Sequence, residues 1–228
     1  LHLSIRRQRQ MCIRDSNWPE DIALMRALNL DAYRFSIAWT RIQPSGRGPA
    51  NPAGLDFYSR LVDGLLEAGI TPYVTLYHWD LPQALEDEGG WLRRGIVDDY
   101  QVYADLVSRA LGDRVKHWAT FNEPWVFTWS GYALGEDAPG LKLGARGALA
   151  ATHHALLAHG ITMPLIRANV PEAVAGIVLD LNHVEPVSDK PDDVAAAKRW
   201  DGCQNRWYLD PLFKGRYPED LSLIHISE

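Results

Sequence analysis

The sequence predicts an α/β fold built on a parallel sheet, and three observations carry that prediction. Short runs rich in β-formers alternate with helical apolar periodicity four times. The spacing between successive runs leaves room for a crossover helix each time. The 228 residues, 46% hydrophobic and 23% charged, have globular composition. The pattern alone fits either a doubly wound sheet or a (β/α)8 barrel. No Gly-rich phosphate loop follows the first strand, which argues against a dinucleotide-binding domain.

The elements follow in order. Pro19, Glu20 and Asp21 suit a first helical turn, and Ile22, Leu24, Met25 and Leu28 continue it as an apolar face. Asp31 to Trp39 reads as a strand. The Pro/Gly-rich stretch Pro44 to Gly54 reads as a long loop after it. Leu55, Tyr58, Leu61, Val62, Leu65 and Leu66 recur at three and four residues, and Gly69 closes that helix. Thr71 to Tyr77 is the second strand. Tyr100 to Leu111 is a helix stopped by Gly112, and Val115 to Phe121 a third strand. Gly144 to Arg167 reads as a helix that Pro164 kinks or shortens. Ala173 to Leu181 is the fourth strand, and Asp192 to Tyr208 a final helix.

Composition excludes several classes. A net charge of −6 argues against nucleic acid or an anionic membrane as partner. Cys12 and Cys203 stand far apart, without the spacing of a disulfide framework or a zinc site. His153, His154 and His159 lie on one helix without carboxylate support, so they read as packing or solvent residues. No run approaches a membrane span, and the first 16 residues lack the apolar core of a signal peptide, which suggests a cytoplasmic protein. Nine tryptophans and nine tyrosines are in excess. Aromatic rings fill cores, and they also line sugar-binding clefts.

In barrel enzymes the working residues lie at the C-terminal ends of strands. Here Arg34 and Trp39 lie in or at the end of the first strand. His78, Trp79 and Asp80 follow the second, Asn122, Glu123 and Pro124 the third, and Asn182, His183 and Glu185 the fourth. Asp80 reads as a loop or cap residue.

Four segments, DAYRFSIAW, YHWDLPQAL, TFNEPW and NRWYLDPLF followed by GRYP, occur in this order from about Asn17 to Asp220. Together they closely resemble glycoside hydrolase family 1, the β-glucosidase family. The resemblance implies a (β/α)8 TIM barrel, truncated here to about strands 2–5. It implies a retaining β-glycosidase that needs no cofactor and no metal and takes a small β-glycoside or oligosaccharide. Glu123 matches the general acid/base, Asn122 the ligand of the sugar 2-hydroxyl, and His78 the ligand of the 3-hydroxyl. Arg34 matches the arginine that steadies the nucleophilic carboxylate, while Trp79 and Trp125 match aromatics lining the cleft. The chemistry agrees, since retaining hydrolysis needs one carboxyl group to protonate the leaving oxygen and a second, about 5 Å away, to attack the anomeric carbon.

The chain departs from the family in three places. The opening strand and its sugar-binding glutamine are expected before Asn17, where the basic segment LHLSIRRQRQMCIRDS stands. The ENG motif that carries the nucleophile is absent, and Glu136, Asp180 and Glu185 do not stand where it belongs. Asp137 replaces a histidine common in the segment Gly135 to Gly140. Residues 1–16 and 221–228 therefore read as foreign to the domain, and 17–220 as a partial TIM-barrel glycosidase domain. As an open half barrel it is expected to be inactive alone. The sequence does not separate β-glucosides from β-galactosides or 6-phospho-β-glycosides, nor exclude a non-catalytic glycan-binding relative, and it leaves the oligomeric state open.

Overall fold

A computed structural model describes the backbone of residues 2–222 and the side chains of residues 15–221. The basic stretch with Arg6, Arg7, Arg9 and Arg14, the Cys12 thiol and residues 223–228 lie outside the described side chains. With them go most of the expectations for segments 1–16 and 221–228.

Four strands, β1 (Ala32–Ser36), β2 (Thr71–Tyr77), β3 (His117–Asn122) and β4 (Val174–Val178), form one sheet in the order β1-β2-β3-β4. Every pairing is parallel, as the alternating pattern predicts. β2 lies in the middle and is buried on successive residues from Val74 to Tyr77. Residues of both parities are thus buried along the second half of this strand.

Helices form the outer layer. α1 (His2–Ala27) leads into β1, α2 (Trp39–Ile42) is a single turn after it, and α3 (Pro52–Glu67) crosses to β2. α3 starts where Asn51 accepts the Ala53 N–H at 3.2 Å with Pro52 just inside, and it ends before Gly69, whose φ of 76° is left-handed. Its apolar stripe buries Tyr58, Leu61, Val62 and Leu65. α4 (Gln83–Asp87) is short. α5 (Ile96–Leu111) carries Asp98 and Asp99 in its first turn and Arg109 in its last, complementing its dipole. α6 (Gly144–Asn169) packs on α5 and returns the chain to β4. α7 (Pro191–Asp201), a π-turn over Gly202–Arg206, α8 (Trp207–Lys214) and α9 (Glu219–Ser222) complete the described chain.

Two helix expectations need correction. Pro164 does not end α6 early; the helix runs on to Asn169. The carbonyl that Pro164 leaves unpaired belongs to Gly160, which faces open space, while Thr162 and Ile166 on either side are buried and hold the helix in place. Pro19 does not open the first helix but sits inside α1. This helix is held by Asp15, 3.0 Å from Arg41, and by Trp18, whose ring closes over Gly64.

The core takes up most of the aromatic excess. Trp39 stacks on Tyr103 at 4.8 Å, Tyr100 on Phe121 at 4.7 Å, and Tyr77 meets Phe127 edge-on at 5.1 Å. The hydroxyls of Tyr100 and Tyr103 reach strand carbonyls. Tyr103 shares its proton between Ile37 O at 3.0 Å and Leu76 O at 2.7 Å, and Tyr100 donates to Thr120 O at 2.5 Å. Burial holds both hydroxyls well above their ordinary pKa, so they remain donors.

Among the described residues the sheet has two free edges, because β1 and β4 each pair on one side only. A groove of about 560 Å³ runs beside β1, with Trp18, Ile22, Met25, Phe35, Phe57 and Tyr58 in its lining. At β4, Val174 is exposed. This is the half-open sheet that the resemblance implies.

Tyr103→Phe should lower stability by about 1–3 kcal/mol, since it strips two buried carbonyls of their donor without opening a cavity. Urea denaturation of the purified chain measures this, and an unchanged midpoint would contradict the role given to the hydroxyl.

Candidate active site

The C-terminal ends of β1, β2 and β3 bring the predicted polar residues to one rim. Arg34 in β1 donates from Nε to Thr75 Oγ1 of β2 at 2.9 Å and from its terminal nitrogen to Asn122 Oδ1 of β3. One guanidinium thus spans three adjacent strands, and its planar fork suits that task better than a lysine would. Asn122 is 3% exposed, so its side chain has lost water and depends on this bond.

His78 and Trp79 follow β2 directly. Trp79 has φ of 71° and donates from its indole to Asn122 O at 2.8 Å, while the rings of His78 and Trp79 meet edge-on at 4.9 Å. Burial holds the His78 imidazole below its ordinary pKa; Arg34 lowers it further and Glu123 pulls it upward. His78 therefore stands within the field of both Arg34 and Glu123.

Glu123 follows Asn122 with φ of 42°. Its own N–H continues the ladder to Val178 O at 2.8 Å, and its carbonyl accepts from Val126 N at 3.0 Å. The β3–β4 register shifts between Ala119 and Asn122, where the Thr120 hydroxyl bridges to Gly176 O at 3.2 Å. The shift and the left-handed residue together turn the chain out of the sheet at Glu123, leaving its side chain half-buried. A left-handed non-glycine residue costs on the order of 1–2 kcal/mol. Two of them, Trp79 and Glu123, stand on this rim.

Trp125 packs against a second apolar cluster that includes Trp207 and Tyr208, and it meets Trp200 edge-on at 6.4 Å. Asn182, in the segment that follows β4, is held by reciprocal bonds with Asn205, at 3.0 and 2.7 Å. Two of the carboxylates passed over as nucleophiles are engaged elsewhere: Glu185 pairs with His183 at 2.8 Å, and Asp180 accepts from Gln204. Asp137, in the segment where the family often has histidine, accepts from Ser130 at 2.7 Å.

Sequence reasoning missed three parts of this arrangement. Thr75 reads as an ordinary strand residue, and its bond to Arg34 depends on the register of β1 against β2. Asp80 reaches across to Trp39 N at 3.0 Å, and Asn205 to Asn182 in the segment that follows β4. Both lie inside quoted motifs, which was the available signal.

The three histidines of α6 find separate partners. His153 Nδ1 meets Tyr217 Oη at 2.9 Å, His154 donates to Trp91 O at 2.7 Å, and His159 Nδ1 lies 2.8 Å from Thr120 Oγ1. No group of three metal-ligating side chains occurs among the described residues, and no described helix is long and apolar enough to cross a membrane.

A rim of this composition at the C-terminal ends of parallel strands with outer helices is the arrangement of (β/α)8 barrels. The profile of Glycosyl hydrolase family 1 matches residues 12–225, and the chain belongs to that family. It is 46% identical to β-glucosidase A of Acetivibrio thermocellus over 92% of this chain and 46% of that protein. It is 48% identical to rice β-glucosidase 6 over 87% of this chain and 41% of that protein. Among solved structures, the psychrophilic β-glucosidase BglU from Micrococcus antarcticus superposes with a TM-score of 0.88 at 52% identity, covering 91% of this chain and 44% of its own. A β-glucosidase from Thermotoga maritima, solved with deoxynojirimycin, gives 0.91 at 42% identity, covering 95% and 49%. The chain spans about half the length of the relatives it matches, and its four strands are part of a TIM barrel.

Burial first, and then Arg167, lower the His159 imidazole from 6.5 to about 4. The unfolded chain therefore takes up a proton between those values that the folded chain refuses. Through this group, stability falls as the pH drops from 6.5 toward 4. NMR titration should find His159 neutral at pH 5, and a midpoint at or above 6 would contradict the buried placement.

Proposed function

We propose that this chain carries the acid/base half of a retaining β-glycosidase that hydrolyses terminal β-D-glucosyl or galactosyl residues from small β-glucosides and oligosaccharides. The observation that carries the reading is Glu123. It is half-buried and left-handed at the end of β3, beside an Asn122 already oriented by Arg34. Strain kept at such a point marks a position that the surrounding structure over-determines.

In this reading Glu123 protonates the glycosidic oxygen as the bond to the anomeric carbon breaks, then takes a proton from the water that completes hydrolysis. The Asn122 side chain is fixed toward the sugar 2-hydroxyl, where a hydrogen bond strengthens as the oxocarbenium-like transition state develops. His78, held neutral by burial and by Arg34, can donate one ring N–H and accept at the other nitrogen, which suits the 3-hydroxyl. Trp79 offers a flat apolar face to the pyranose, and Trp125 extends the aromatic lining. Arg34 has a second task in a complete barrel, steadying the carboxylate that attacks from the opposite side. No residue of this chain is assigned that attack.

The chain by itself should not hydrolyse an aryl β-glucoside, because proton donation supplies only about 10² to 10⁴-fold of the acceleration. A longer form that adds the remaining strands should hydrolyse it with retention of configuration, followed by NMR of the product anomer. In that form Glu123→Gln should cut kcat by about 10² to 10⁴-fold for poor leaving groups and by less for activated aryl glucosides. Robust turnover by the chain alone, or an inverted product, would overturn the proposal.

A further inference from the structure

We propose that Asp80 is a positioning residue for this rim, a carboxylate that ties the loop after β2 to the start of α2 and thereby sets where His78 and Trp79 stand. Its part in turnover rests on the hydrolase reading above; its structural action does not.

Asp80 Oδ2 accepts from Trp39 N at 3.0 Å, and Oδ1 faces His78 N at 3.4 Å. Each oxygen thus points at a main-chain N–H, one on each side of the β1–β2 seam. A cap serving only local structure would bind its own helix, whereas Trp39 lies 41 residues away in sequence. The other contact is to the backbone of His78 itself. Between His78 and Asp80 the chain must pass through Trp79 at φ of 71°, a conformation that L-residues avoid unless held. The tie at Asp80 holds one end of that strained residue, and the indole bond to Asn122 O holds the other.

The chemistry calls for a carboxylate. Two backbone donors converge on it, so both of its oxygens must accept. An asparagine would offer one acceptor and turn its NH2 group against the second N–H. Burial raises the Asp80 carboxyl to about 6, and the amides of His78, Asp80 and Trp39 oppose that rise. The ionised form is thus held by oriented N–H dipoles.

The test uses the 228-residue chain with labelled tryptophan and histidine, observed by NMR. In Asp80→Asn, exchange of the Trp79 indole N–H should accelerate about tenfold or more, the scale of losing a hydrogen bond to a charged group. The His78 imidazole should titrate closer to its ordinary value as water reaches it. The Trp91 indole, bonded to Tyr77 Oη at 3.1 Å in the core, serves as control and should not change. Asp80→Glu keeps the charge but displaces it by one methylene, so it too should speed Trp79 exchange. It provides the same comparison should the asparagine variant fail to fold. Unchanged Trp79 exchange in a folded variant would overturn the proposal, as would parallel loss of protection at Trp79 and Trp91. These readouts need no substrate, so the hydrolase reading can fail without affecting them.

Discussion

The rim depends on tyrosine hydroxyls that reach from one helix to the ends of three strands. Tyr100 and Tyr103 of α5 bond Thr120 O and Leu76 O, in the C-terminal halves of β3 and β2, and Ile37 O just beyond β1. A buried carbonyl without a donor costs about 1–3 kcal/mol. Without these hydroxyls the strand ends would have to reach water, and the residues that follow them would move outward. With them, the chain leaves each strand at a fixed height and direction. Strain of the kind found at Trp79 and Glu123 persists only on such a foundation.

Cross-links on the upper side complete what the tyrosines begin. Arg34 joins β1 to Thr75 and Asn122, the Trp79 indole joins the β2 loop to Asn122 O, and Asp80 joins that loop back to Trp39. Asn122 is shared by the first two, with its side chain taken by Arg34 and its carbonyl by Trp79. The arginine also sets the local electrostatics. It lies close enough to lower His78, against the opposite pull of Glu123. A cation, a neutral imidazole and a carboxylate therefore share one face without forming a closed ion pair.

The strands were legible because each is a compact run of β-formers bounded by glycine or a helical face, and their order followed from the crossover spacing. Helix boundaries were less so. Pro164 signals a break by local rules, but burial of Thr162 and Ile166 against the core outweighs one missing hydrogen bond on the exposed side. The site motifs were legible as motifs, since Asn122, Glu123, His78 and Trp79 sit at strand ends by position alone. What could not be read was long-range geometry. Nothing local announces that Thr75 meets Arg34, that Asp80 crosses to Trp39, or that Glu123 takes a left-handed turn at a register shift. Each depends on strand register, which emerges only when the whole sheet is paired.

The arrangement also explains why half a barrel can be locally ordered at its rim. All the bonds that orient Asn122, His78 and Trp79 lie within β1, β2, β3 and the helices between them; none requires a strand beyond β1 or β4. Covering the inner face is another matter. Arg34 is exposed on β1, and the groove beside it leaves aromatic side chains open to water. In water the field of a guanidinium is screened, and its hold on a distant carboxylate weakens several-fold relative to a dry cleft. The same rim is therefore pre-formed in shape yet weak in electrostatics until its inner face is closed. In the proposed reaction, where differential charge stabilisation carries most of the acceleration, geometry supplied by the first four strands is necessary and not sufficient.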